Sequence, residues 1–195
     1  MIDRKNFFTY LRDSKMFGPR LDQSEVDGLL ALLEACECWP VSWTAYALAT
    51  AYHETAHTML PIKEYGSNAY LSKYDTGRLA AALGNTPQAD GDGQLYAGRG
   101  YVQLTGRANY AKAERLLGLP LLKNPDLAMK PDVAAKILRS GMESGWFTGK
   151  SLKTYLPAEI GTYEQFKQAR RIINGTDKWD KIAGHAAHFQ KALLS

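Results

Sequence analysis

The ten residues from Trp43 to Tyr52, WTAYALATAY, carry no charged side chain, and ionisable groups then arrive together: His53, Glu54, His57 and, beyond Pro61, Lys63 and Glu64. Ser42 can cap a helix that enters this run, and Ala47, Thr50 and Ala51 fall on the same helical face as Glu54, leaving room beside its carboxylate. A carboxylate set into an otherwise apolar helix must find a partner or do chemistry. Pro61 cannot sit inside a continuing helix, so Glu64 belongs to a separate turn or extended segment. The rest of the chain is organised around this stretch.

Helices dominate on either side of it. Asp3 can cap a first helix running to about Met16, with Phe7, Phe8 and Leu11 at helical spacing, and Asp22 or Ser24 can start a second whose Val26, Leu29, Leu30, Leu32 and Leu33 form a broad apolar face. A short helix is expected around 78–83, and the segment 84–98 is rich in turn residues, as a loop at the rim of a site would be. After Gly98-Arg99-Gly100, the phrase Tyr101-Val102-Gln103-Leu104-Thr105 alternates as a short strand does. A helix then runs to Leu117, closed by Gly118 and Pro120, and three more are expected over 132–147, 162–173 and 178–194. The fold class is mainly α with a short β element, one domain over 1–195, with 1–40 as a helical part packed on the core.

The totals remove several classes. A hydrophobic fraction of 45% and a charged fraction of 23% are those of an ordinary globular protein. No run has the length of a membrane span, and the amino terminus lacks the apolar core of a signal peptide, so a soluble, monomeric chain without a membrane span is expected. The net charge of +4 gives mild attraction to anionic polymers. The basic residues are scattered and no nucleic-acid motif accompanies them, which argues against nucleic acid as partner. Cys36 and Cys38 stand one residue apart, poor geometry for a disulfide, and are read as free thiols.

Two motifs bear on chemistry. His53-Glu54-Thr55-Ala56-His57 fits the pattern in which two histidines one helical turn apart bind zinc and the glutamate activates water, although a third ligand is not evident. Glu54 and Glu64 as a pair suit general acid and base work on a glycosidic bond, with the apolar helix keeping one carboxyl protonated and Lys63 helping to keep the other ionised. Spacing alone also admits a satisfied core glutamate beside an exposed one. Gly98-Arg99-Gly100 is too short for a phosphate loop, Asp90-Gly91-Asp92-Gly93 reads as a turn, and Asn174-Gly175 reads first as a helix stop.

Taken together, His53-Glu54-Thr55, GRGYVQLTGRANY over 98–110, and Ile173-Asn174-Gly175 resemble glycoside hydrolase family 19, which contains plant-type chitinases and many bacteriophage endolysins. The resemblance runs from about Trp43 to Asp177. It implies a lysozyme-like helical domain in which Glu54 is the general acid, Glu64 the general base and Thr105 the holder of the attacking water, with inversion at the anomeric centre. It also implies that His53, Gln103, Asn109, Asn174, Tyr101 and Arg99 contact sugar or orient the site, and that no metal or organic cofactor is required. Tyr65, Tyr70 and Tyr96 are further candidates to stack on sugar rings.

The expected substrate is the β-1,4-linked glycan of bacterial peptidoglycan, with chitin as the alternative. A zinc wall peptidase and a non-catalytic wall-binding or virion protein are the readings from other classes. The chain carries Ala56-His57 and a Cys-x-Cys pair where plant enzymes have small residues and several disulfides. Without disulfides or a signal sequence, it is expected to wait in a host bacterial cytoplasm until released to the wall, as the phage members do, without a separate wall-binding domain. On this reading Glu54→Gln removes the chemistry and leaves the helix undisturbed.

Overall fold

The computed structural model describes residues 2–195. In chain order the helices are α1 (Arg4–Asp13), α2 (Gln23–Ala35) and α3 (Val41–Glu54), followed by strand β1 (Ile62–Lys63). Next come α4 (Asn68–Leu71), α5 (Gly77–Leu83), α6 (Asp92–Leu95), strand β2 (Arg99–Gly100) and α7 (Arg107–Leu117). The chain closes with α8 (Pro131–Ser144), α9 (Leu152–Tyr155), α10 (Tyr163–Ala169) and α11 (Trp179–Leu193), with 3-10 turns at Ser72–Tyr74, Pro125–Met129 and Arg170–Ile172. No helix among the described residues is long and apolar enough to cross a membrane. Contacts divide the chain into two compact units, one formed by residues up to Leu60 and from Leu138 to Ser195, the other by Pro61–Ile137.

In the first unit α3 is the central element. Ala45, Tyr46, Ala47, Leu48, Ala49 and Ala51 are wholly buried, and the short side chains let α11 lie close along it through Ile182, Ala183, Ala186 and Phe189. Residues chosen for small volume thus set the packing, and larger ones from α1, α2 and α10 (Phe7, Leu11, Leu29, Leu32, Phe166) complete the core. Helix starts follow local chemistry. Asp3 accepts from the Asn6 N–H, Asp22 and Glu25 make a capping box, and Thr162 and Gln165 make another. Ser42 does not cap α3, which begins at Val41. Pro40 precedes it, and the Ser42 hydroxyl instead donates to Ala158 O at 2.6 Å.

The second unit is built from short elements, and buried polar side chains hold its loops. Asp75 accepts from Gly93 N–H at 2.6 Å, Asp92 from Thr86 N–H at 2.9 Å, and Asn85 donates to Tyr74 O while accepting from Arg107 N–H. The expected loop at 84–98 is therefore partly helical and internally tied. Its strands are antiparallel, Ile62 facing Gly100 and Lys63 facing Arg99. The expected strand over 101–105 is a turn. It brings Leu104 back to bridge Arg99, and Gln103 takes a left-handed conformation (φ 52°) to complete the reversal.

Candidate active site

The two glutamates lie in different units. Glu54 is the last residue of α3, at the negative end of the helix dipole, where a carboxylate is disfavoured. A guanidinium offsets this: Arg170 Nη1 lies 2.7 Å from Glu54 Oε1, and Arg170 is itself buried, its Nε donating to Asp177 O at 2.9 Å. The apolar setting expected for Glu54 is thus corrected to an ion pair. Oε2 of Glu54 has no hydrogen-bond donor among the described residues and remains available to a ligand.

Directly after Glu54 the backbone reverses. His57 N–H donates to Tyr52 O at 2.8 Å and Ala56 N–H to His53 O, the paired bonds of a Schellman stop, with Ala56 at φ 51° in the position that glycine ordinarily fills. His57 (φ 75°) and Met59 (φ 56°) are also left-handed. The Thr55 hydroxyl donates to Ala51 O and accepts from Met59 N–H, and Met59 O presses against α2 where a Cβ on Gly28 would come within 2.0 Å of it. Backbone strain, Thr55 and Gly28 together fix the exit beyond the carboxylate.

This geometry removes the premise of the zinc motif. The helix ends before His57, so His53 and His57 do not stand one turn apart on a helical face, and no group of three or more His, Cys, Asp or Glu among the described residues is placed to hold a metal. His57 has a packing role, its ring stacked on Tyr52 at 4.2 Å with His185 edge-on at 5.7 Å. His53 is held below its ordinary pKa, first by burial and, against the raising influence of Glu54, by Arg170, Lys181 and His57. Its buried Nδ1 has no hydrogen-bond partner among the described residues. Asn174 is exposed just past the 3-10 turn, with Gly175 left-handed (φ 51°) as the stop signal implies.

The second unit holds Glu64 by neutral donors. The Tyr74 hydroxyl donates to Oε1 at 3.1 Å and Gly98 N–H to Oε2 at 3.3 Å, while Glu64 N–H donates to Gly98 O at 2.7 Å. Lys63, the expected charge partner, forms no ion pair with it among the described residues. Tyr74 sits above its ordinary pKa, first through burial and then, against Lys73, through its bond to Glu64, so it keeps the proton it donates.

Gly98 is where the second unit's candidates meet. A Cβ there would lie 2.7 Å from Gln103 Oε1, 3.1 Å from Thr105 Oγ1 and 3.3 Å from Glu64 Oε2, so glycine is required by the space three polar side chains share. Thr105 donates to Gln103 O at 2.8 Å, leaving its oxygen lone pairs to accept from a water. Asn109 donates to Thr105 O at 2.8 Å, and Gln103 Nε2 donates to Ile62 O and Gly100 O across the strands. Asn109 and Gln103 orient this cluster.

Two expected sugar contacts are corrected. Tyr101 is wholly buried, and Arg99, 3% exposed, spends its donors on Asp126, Tyr110 and the carbonyls of Leu95 and Ala97. Tyr96 is buried as well, whereas Tyr65 and Tyr70 are exposed. Arg170 was missed at the sequence level. The only local sign was an arginine pair flanked by apolar residues, Ala169-Arg170-Arg171-Ile172-Ile173. A cavity of about 410 Å³ in the first unit, lined by Leu33, Cys36, Trp39 and neighbours, contains none of these candidates.

No family model matches the chain. An endochitinase of Arabidopsis thaliana is 34% identical over 136 residues, 69% of this chain and 43% of the endochitinase. A glycosyl hydrolase family 19 domain-containing protein of Haemophilus influenzae is 36% identical over 106 residues, 53% of this chain and 46% of that protein. The chain spans less than half the length of these two relatives. Chitinase C of Streptomyces griseus HUT6037 matches all of this chain and 77% of its own with a TM-score of 0.66 at 21% identity. A bacterial family 19 chitinase matches 98% of this chain and 94% of its own with a TM-score of 0.61 at 20% identity.

The architecture is therefore the mainly helical, lysozyme-like fold of the family 19 chitinases, as the sequence led us to expect. The curated relatives and that fold liken this chain to glycoside hydrolase family 19 proteins.

Proposed function

We propose that the chain is an inverting glycosidase that cuts β-1,4 bonds next to N-acetylated amino sugars in bacterial peptidoglycan, with chitin as a second substrate. The observation that carries this reading is the meeting of Glu64, Thr105 and Gln103 at Gly98, where a carboxylate held by neutral donors adjoins a threonine oxygen free to accept. That arrangement suits a water whose proton Glu64 takes as general base. Glu54 supplies the proton to the departing glycosidic oxygen, its Oε1 anchored by Arg170 and its Oε2 open. His53 precedes the acid and feels its charge, and Asn109 and Gln103 steady the water position in the second unit.

The biological role we infer is that of an endolysin, held in a host bacterial cytoplasm and released to the wall. Cys36 and Cys38 are both unpaired thiols, which suits a reducing compartment, and burial pushes Cys36 up to about 12, making it unreactive. The test is mass spectrometry of fragments released from purified peptidoglycan, with chitin in parallel. Reducing-end fragments with intact stem peptides support a glycosidase. Free stem peptides with an uncut glycan would overturn it in favour of a peptidase.

A further inference from the structure

Close to Glu64 the second unit presents a cation that pairs with no carboxylate among the described residues. Lys73, on the 3-10 turn Ser72–Tyr74, places its Nζ 3.3 Å from the centre of the Tyr70 ring and 4.6 Å from that of Tyr74. Tyr74 is the residue whose hydroxyl donates to Glu64 at 3.1 Å, so base, phenol, ammonium and second phenol form one continuous series. Lys73 makes no ion pair among the described residues. The carboxylate nearest in sequence, Asp75, is buried and already accepts from Gly93 N–H.

Two phenol faces fix the direction of a flexible lysine, which lowers the entropy lost when an anion binds it. The Lys73 ammonium is held above its ordinary pKa, first by its contact with Tyr70, and stays charged. Beside it the surface is unusually aromatic: Tyr70 is 50% exposed and Tyr65, the residue after Glu64, is 100% exposed. Large rings left in solvent beside a catalytic candidate have the character of a binding surface rather than of core.

Resting on the glycosidase reading, we propose that Lys73, set between Tyr70 and Tyr74, selects glycans that bear a carboxylate, binding the lactyl carboxylate of the muramic sugar while Tyr65 and Tyr70 take the sugar faces. Neutral chitin offers this ammonium nothing to pair with. Peptidoglycan presents a lactyl group on every second sugar, as a free carboxylate once stem peptides are removed. Lys73 is thus a specificity residue that favours strands stripped of their stem peptides, whose lactyl carboxyl is free, over neutral chitin and over strands whose lactyl carboxyl is tied up as an amide.

The test uses glycan strands stripped of stem peptides and the same strands with their carboxyls reduced to alcohols. Binding is followed by calorimetry with the Glu54→Gln chain, and KM with the wild type. About three- to tenfold tighter binding of the carboxylate form is expected, fading with added salt. Lys73→Met is expected to bring the two forms within twofold, and Lys73→Arg, which keeps a cation over the rings, to preserve the preference. Equal binding of both forms by the wild type, or an undiminished preference in Lys73→Met, overturns the proposal. Should no strand be cut while the carboxylate preference persists in binding, the hydrolase reading fails and the Lys73 assignment stands. Cutting without preference gives the converse.

Discussion

Glu54 and Glu64, ten residues apart in the chain, are held by opposite means. Glu54 ends a long buried helix and is gripped through one oxygen by a buried guanidinium, against the helix dipole and beside three left-handed non-glycine residues. Glu64 follows a two-residue strand and is held through both oxygens by uncharged donors, with glycine as the floor beneath it. One carboxylate is part of the load its unit carries, whereas the other is accommodated without charge. On the proposed reading, two residues of one type share a reaction and differ entirely in what their removal does to the fold.

The largest expected effect is common to both. Glu54→Gln and Glu64→Gln should each lower turnover on N-acetylglucosamine oligomers by on the order of 10²–10⁴-fold, as the loss of an acid or base does, and a steady-state assay of reducing ends checks it.

Stability is expected to separate them. Glu54→Gln leaves the buried Arg170 without its counter-charge and should cost about 1–3 kcal/mol in denaturant unfolding, contrary to the neutral effect expected from sequence. Glu64→Gln keeps its carbonyl oxygen for Gly98 N–H while the Tyr74 hydroxyl turns to accept from the new amide, and it should cost less, under about 1 kcal/mol. Equal losses would break the comparison.

The exit from Glu54 sharpens it from the backbone side. Gly28→Ala drives a Cβ against Met59 O and should destabilise by about 1–3 kcal/mol. Ala56→Gly relieves the left-handed residue of its Cβ and should stabilise by about 0.5–1 kcal/mol, since glycine is the natural occupant of a Schellman stop. Both are read from urea midpoints.

The pH dependence near neutrality should also fall on the first unit's side of the comparison, which holds all four histidines. His185 faces His57, His53, His188 and Lys181, and burial first, then these cations, push it from 6.5 to about 4. The unfolded chain therefore takes up a proton that the fold refuses between those values. Stability is full above pH 6.5 and declines as pH falls towards 4, and His185→Asn should flatten the slope of melting temperature against pH in that window.

What the sequence disclosed was local. Asp3, Asp22 with Glu25, and Gly118 announce helix ends because the groups that cap them are within a few residues. The candidate glutamates stood out because charge interrupts an apolar run. What it hid depended on distance or on exceptions to residue preference. Arg170 meets Glu54 across 116 positions. Ala56, His57 and Met59 adopt conformations their side chains disfavour because the Thr55 hydroxyl and the close approach at Gly28 hold them there. Tyr101 sits in an alternating phrase that looks like a strand, yet turns and buries its ring, since a bridge between Arg99 and Leu104 closes the segment.

The division of labour between the two glutamates is tested most directly by the anomer first released from a soluble N-acetylglucosamine oligomer, followed by proton NMR during the opening of the reaction. With Glu54 as acid and Glu64 activating water, the β-linked substrate yields the α-anomer first, which then mutarotates. Initial release of the β-anomer would contradict the account, because it requires two displacements in place of one.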